Sequence, residues 1–141
     1  MTVKYFRGRF FFLSNFYPTP IILDGIKYPT LEHAFQAAKT LDLEERMEIL
    51  ACPTPGRAKR AGKRVTQRPG WLNRRIDVMT SLVSQKFQRN TKLGQLLLST
   101  GEKELIEGNN YKDTFWGIFK GRGENNLGKI LMEVRATLRK K

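Results

Sequence analysis

From Trp71 onward, Leu72, Ile76, Met79, Val83 and Phe87 recur at spacings of three and four, the apolar stripe of a long amphipathic helix. The same periodicity in Leu93, Leu96 and Leu97 predicts another helix ending near Thr100-Gly101, and Leu127, Ile130, Leu131, Val134 and Leu138 predict a last one. Earlier, the pattern changes. FRGRFFFLSNF (Phe6–Phe16) and PIILDGIKYPT (Pro20–Thr30) combine aromatic and β-branched runs with an Asp24-Gly25 turn signal, which reads as short strands or a hairpin. Thr30 then serves as an N-cap for LEHAFQAAKTL, with Glu32 in the first turn where negative charge suits the helix dipole. A further helix covers LDLEERMEILA until Pro53 breaks it. Pro55 suits the first turn of a short basic helix that stops before Gln67-Arg68-Pro69-Gly70.

One segment resists this reading. GNNYKDTFWGIFKGRGENN (Gly108–Asn126) has too many turn residues for regular structure, yet carries Tyr111, Phe115, Trp116 and Phe119. Such aromatics either fold back onto the core or grip a flat ligand. The elements add up to a mainly α protein, a compact multihelical single domain over residues 1–141 with a small N-terminal β element.

Charge changes the picture. Lysine and arginine number 26 against 13 acidic residues, a formal net charge of +13, which calls for an anionic partner. Between Pro53 and Ile76 no acidic residue occurs, while Arg57, Lys59, Arg60, Lys63, Arg64, Arg68, Arg74 and Arg75 all fall there. A solvated basic face and a phosphate-binding surface explain this run equally well. The opening MTVKYFRGRFFFLSNF has no signal-peptide pattern, and no apolar run approaches the ~20 residues of a membrane span. The expectation is a cytoplasmic protein without a membrane partner. Cys52 and His33 are each the only residue of their type, which excludes a disulfide framework and a multi-histidine metal site; no metal and no cofactor are expected.

Candidate chemistry is sparse. Glu32, Gln36 and Lys39 align on one helix face, with Leu31, Ala34, Phe35, Ala38 and Leu41 on the other; on spacing alone this is an ordinary wet face or a functional row. His33 reads as a structural hydrogen-bonder more readily than as a base. Asp113, three residues before Trp116, is an aspartate turn beside a core tryptophan or part of a site. No P-loop, dinucleotide fingerprint or supported nucleophile triad is present.

Taken in order, the motifs resemble a known family. FLSNF (Phe12–Phe16), YPTLEHAFQAAK (Tyr28–Lys39), AKRAGKR (Ala58–Arg64), Trp71 ahead of a helix with Val78-Met79 and Lys86-Phe87, LLLSTG (Leu96–Gly101), Asp113-x-x-Trp116-Gly117 and ENNLGKILMEVR (Glu124–Arg135) follow the succession of the YbiA-like or NADAR family. The resemblance implies a mostly helical fold and hydrolysis of N-glycosidic bonds, on a ribosylamino-pyrimidine phosphate of riboflavin synthesis or on ADP-ribose attached to guanine, including guanine in DNA. It also implies Glu32 and Asp113 as catalytic carboxylates, and substrate contacts from Trp71, Trp116, Asn15, Phe16, His33, Gln36, Lys39, Lys59, Lys86, Gly117 and Asn125. Ala34, Asn126 and Ile118-Phe119 depart from the family pattern and bear on substrate choice.

On these expectations Glu32 stabilises an oxocarbenium-like ribose or activates water and Asp113 orients a hydroxyl or the water, or the two exchange these parts; the two indoles stack on the base, and Lys39, Lys59 and Lys86 meet phosphate. If DNA is the substrate, the stretch 57–75 holds its backbone. Two rival readings stand beside this one: a non-catalytic module that binds ADP-ribose or nucleic acid, and a purely nucleic-acid-binding helical protein.

Overall fold

The computed structural model describes all 141 residues. In chain order come β1 (Thr2–Val3), a 3-10 helix (Gly8–Leu13), β2 (Pro18–Leu23), β3 (Ile26–Thr30), α1 (Leu31–Ala38), α2 (Leu43–Ala51) and α3 (Pro55–Ala61). They are followed by α4 (Trp71–Arg89), α5 (Thr91–Ser99), β4 (Glu104–Leu105), β5 (Gly108–Asn109), β6 (Ile118–Phe119) and α6 (Asn126–Arg139). The protein is mainly helical, as the periodicity predicts. Contacts divide it into two compact units, Asn15–Leu82 and Met1–Ser14 with Val83–Lys141, and the boundary falls inside α4. No helix is long and apolar enough to cross a membrane.

The unit of residues 15–82 is built on α1. The β2–β3 hairpin pairs Leu23 with Ile26 and Ile21 with Tyr28, and its turn residues Asp24 and Gly25 both have positive φ, the requirement of a two-residue hairpin turn. The hairpin delivers the chain into α1, where the Thr30 hydroxyl accepts from His33 N–H at 3.1 Å and caps the first turn. The Asn15 carbonyl accepts from Glu32 N–H at 3.0 Å, satisfying a second orphan donor. Asp42 caps α2. Thr54 caps α3, with Pro55 in its first turn. All eight residues of α1 are buried, because α2, α3 and the hairpin pack around it.

The other unit joins the two ends of the chain. β1 pairs in parallel with β4, Val3 opposite Leu105. Phe12 meets Phe87 edge-on at 6.5 Å, and Leu93, Leu97, Leu105, Leu127, Ile130, Leu131 and Val134 complete a buried core, each large apolar side chain worth about 1.5–3 kcal/mol. Asn90 caps α5 through Leu93 N–H.

Three expectations need correction. The aromatic stretch at Gly8–Leu13 is a 3-10 helix and no strand: Gly8 enters it with φ of 59°, a turn geometry that glycine permits and a strand does not use. In α4 the buried positions are Trp71, Met79, Leu82, Val83, Lys86 and Phe87, whereas Leu72 and Ile76 are 64% and 42% exposed. The helix therefore presents a rotated stripe in its first half. Leu41, assigned to the apolar side of α1, lies past its end and is exposed.

Candidate functional site

The α1 row has an environment unlike a wet face. Glu32 is 7% and Gln36 4% exposed, although a carboxylate and an amide are seldom placed in a helix buried on every side. Gln36 Nε2 donates to Glu32 Oε2 at 2.5 Å, so the carboxylate receives a short hydrogen bond from one turn further along the helix. At the end of the row Lys39 is half-buried. Burial pushes its ammonium below the ordinary lysine range, the Glu32 carboxylate opposes that shift, and Lys63 and Lys59 add to it. These couplings group the Glu32 carboxylate with the ammonium groups of Lys39, just after α1, of Lys59 in α3 and of Lys63 just after it.

Its surroundings are held by backbone contacts. Arg68 N–H donates to the Lys39 carbonyl at 2.7 Å and its guanidinium reaches the Ala38 carbonyl at 3.4 Å, a cation on the C-terminal carbonyls of α1. Arg68 thus belongs to the scaffold, while Arg57, Arg60, Lys63, Arg64 and Arg74 are exposed. Asn15 is buried and its side-chain amide donates to Met79 Sδ at 3.6 Å. Phe16 beside it is half-buried.

Two further expected ligand contacts of this unit are fully buried. His33 is 1% exposed; its Nε2 donates to the Cys52 carbonyl at 2.9 Å, since a carbonyl only accepts, and its Nδ1 pairs with the Thr30 hydroxyl at 2.8 Å. Both ring nitrogens are engaged within the protein, tying the start of α1 to the end of α2. Trp71 is 3% exposed and its ring packs on Phe35 at 5.3 Å. It is a core residue here, with almost no ring surface presented for a stacked base.

The remaining candidates belong to the other unit. Asp113 Oδ1 accepts from Phe115 N–H at 3.1 Å and Trp116 N–H at 2.9 Å, the aspartate turn that spacing allows. Asn109 braces it, accepting from Asp113 N–H at 3.0 Å and donating to the Asp113 carbonyl at 2.9 Å. Trp116 is half-buried, edge-on to Phe115 at 4.8 Å. A Cβ on Gly117 would fall 2.0 Å from the Glu107 carbonyl oxygen, so glycine is needed there for a close backbone approach.

Asn125 has φ of 53°, a conformation that asparagine tolerates. Its side chain accepts from Glu107 N–H and donates to the Leu105 carbonyl, both at 2.9 Å, fastening the start of α6 to β4. Lys86 is 2% exposed, with its ammonium donating to the Ser14 carbonyl at 2.8 Å. Burial lowers its pKa to about 7.

The sequence matches the NADAR domain family over residues 5–139, which includes the whole of the α1 row, the α3 lysines and the aspartate turn. This chain belongs to the NADAR family. The NADAR chain is 39% identical to N-glycosidase YbiA of Escherichia coli strain K12 over 128 residues, covering 89% of this chain and 79% of that protein. It is 41% identical over 130 residues to a riboflavin biosynthesis protein of Vibrio vulnificus, of which it spans only 35% while 90% of this chain is covered. The NMR structure of E. coli YbiA superposes with a TM-score of 0.85 at 35% identity, over 99% of this chain and 84% of that one.

Sequence reasoning passed over two members of the NADAR cluster. Lys63 sits four residues after Lys59 in the basic run, past the end of α3, and only the fold brings its charge to Lys39. Gly62 carried no signal of its own.

Proposed function

We propose that this chain hydrolyses the N-glycosidic bond between a base-like nitrogen and a phosphorylated ribose, with Glu32 as the reacting carboxylate. The observation that carries this reading is the burial of Glu32 and Gln36, hydrogen-bonded to each other, inside a helix that is otherwise core. Burying an acid and an amide opposes folding unless they are paired, and function is the reason to retain them. The names of the relatives, N-glycosidase for YbiA and riboflavin biosynthesis for the Vibrio protein, point to the same bond.

The chemistry follows from charge. As the C1′–N bond breaks, its electron pair leaves with the base and the ribose becomes oxocarbenium-like. Glu32 stabilises that cation or takes a proton from the attacking water, whose oxygen bonds C1′ while the departing nitrogen is protonated. Lys39, Lys59 and Lys63 supply positive charge for phosphate. Asp113 belongs to the other unit, where its Oδ1 is fixed by the turn. Of the two indoles, Trp116 is half-buried and Trp71 is core.

The first substrate choice is a ribosylamino-pyrimidine phosphate. A second, ADP-ribosyl-guanine including DNA, is favoured by exposed Arg57, Arg60, Lys63, Arg64 and Arg74, which suit a phosphate backbone and predict salt-sensitive turnover. Incubating the protein separately with a ribosylamino-pyrimidine phosphate and with ADP-ribosyl-guanine DNA tests the reading. Mass spectrometry should find free ribose phosphate or free ADP-ribose. Tight binding of both probes without cleavage of either would make this a binding module.

A further inference from the structure

Gly62 is the cap residue of α3 and has φ −61°, ψ −19°, ordinary right-handed helical geometry that any residue adopts. The backbone therefore does not ask for glycine here. Space does: a Cβ on Gly62 would lie 1.9 Å from Gln36 Oε1, 2.7 Å from Gln36 Cδ and 3.0 Å from Gln36 Cβ. Those side-chain atoms belong to the amide whose other end, Nε2, donates to the Glu32 carboxylate. Gln36 Oε1 is buried without a hydrogen-bond partner, so nothing but packing against α3 holds that end of the amide.

We propose that Gly62 is a positioning residue for Glu32, acting through Gln36: the missing side chain on α3 is the room in which the amide keeps its N–H on the carboxylate. This rests on Glu32 being the reacting group. The two severe clashes that alanine would create fall on the end of the Gln36 side chain and are relieved by swinging the amide, while the 3.0 Å contact to Gln36 Cβ needs a few tenths of an ångström from the packing of α3 on α1. The carboxylate then loses the Gln36 N–H. Lys39 on α1 and Lys59 and Lys63 from the α3 side are the charges that still face the cluster, and none of them replaces a neutral donor held at 2.5 Å.

The expected pattern therefore separates activity from stability. Gly62→Ala should melt near the wild-type temperature, since alanine suits helical geometry better than glycine does. Turnover of a ribosylamino-pyrimidine phosphate should show kcat lowered roughly tenfold with KM within about twofold, the mark of a contact made in the transition state. In a Gln36→Ala background, which removes the obstructing amide, Gly62→Ala should change kcat no further.

A readout without substrate is the side-chain amide of Gln36 in a proton–nitrogen NMR spectrum, assigned by its loss in Gln36→Ala. Its proton facing Glu32 should resonate downfield in the wild type and move upfield in Gly62→Ala. Unchanged amide shifts together with wild-type kcat in Gly62→Ala would overturn the proposal. So would equal kcat losses in the wild-type and Gln36→Ala backgrounds. Full activity in Glu32→Gln would instead overturn the assignment of Glu32, whatever Gly62→Ala does.

Discussion

Gln36 Nε2 donates to Glu32 Oε2 across 2.5 Å, one turn along a helix that is buried on every side. The charge on Glu32 dictates which way the amide points, because the opposite orientation would set a carbonyl oxygen against a carboxylate. A hydrogen bond to a charged group contributes about 1.5–3 kcal/mol. If the bond is used in the transition state, Gln36→Ala lowers kcat roughly 10- to 100-fold. Steady-state kinetics on a ribosylamino-pyrimidine phosphate check this, and an unchanged kcat would reduce the amide to packing.

His33 carries the opposite expectation. With both ring nitrogens bonded, to Thr30 and to the Cys52 carbonyl, His33→Ala strands buried partners and should destabilise the protein by about 2–4 kcal/mol. At roughly 2–4 °C per kcal/mol, the melting temperature falls by about 4–16 °C. KM of the folded fraction should hold. A variant that melts normally but loses substrate affinity would show instead that the imidazole meets the ligand.

Legibility from sequence was uneven, for physical reasons. The helix cap at Thr30, Pro55 in the first turn of α3 and the Asp24-Gly25 turn are local chemistry, readable from a few neighbouring residues. The burial of Glu32 was not readable, because the helix shows its polar row at the spacing of a wet face and only α2, α3 and the hairpin, packed around it, decide otherwise. The same holds for Leu72, whose spacing promised burial and whose neighbours did not supply it. Phe10, Phe11 and Phe12 mimic a strand by composition, yet Gly8 with φ 59° starts a 3-10 helix instead. The cluster of lysines around Glu32 is tertiary: Lys59 and Lys63 are more than twenty residues away in sequence.

Lys86 gives a pH dependence. Burial lowers its folded pKa from 10.5 to about 7, so between those values the unfolded chain binds more protons than the folded one. Stability therefore rises with pH from about 7 upward, and below 7 both states are protonated and this slope vanishes. The contribution is at most about 1.4 kcal/mol per pH unit. Denaturant unfolding of wild type and Lys86→Met from pH 6 to pH 10 should diverge in favour of the wild type as pH rises. A constant difference would contradict it.

Lys59 tests the phosphate reading. Its charge is felt at Lys39, and on the proposed function Lys59→Ala raises KM for a phosphorylated substrate roughly tenfold while kcat changes little, as expected for uniform binding. The dephosphorylated compound should be bound equally by both forms. Equal losses on the two compounds would remove phosphate from this cluster.

The most direct measurement is single-turnover cleavage by Glu32→Gln, an isosteric change that keeps the side-chain volume in its buried place. With normal folding confirmed by its melting curve, the account predicts that cleavage of the ribosyl C–N bond slows by roughly 10²- to 10⁴-fold. Cleavage at the wild-type rate by that folded variant would contradict it.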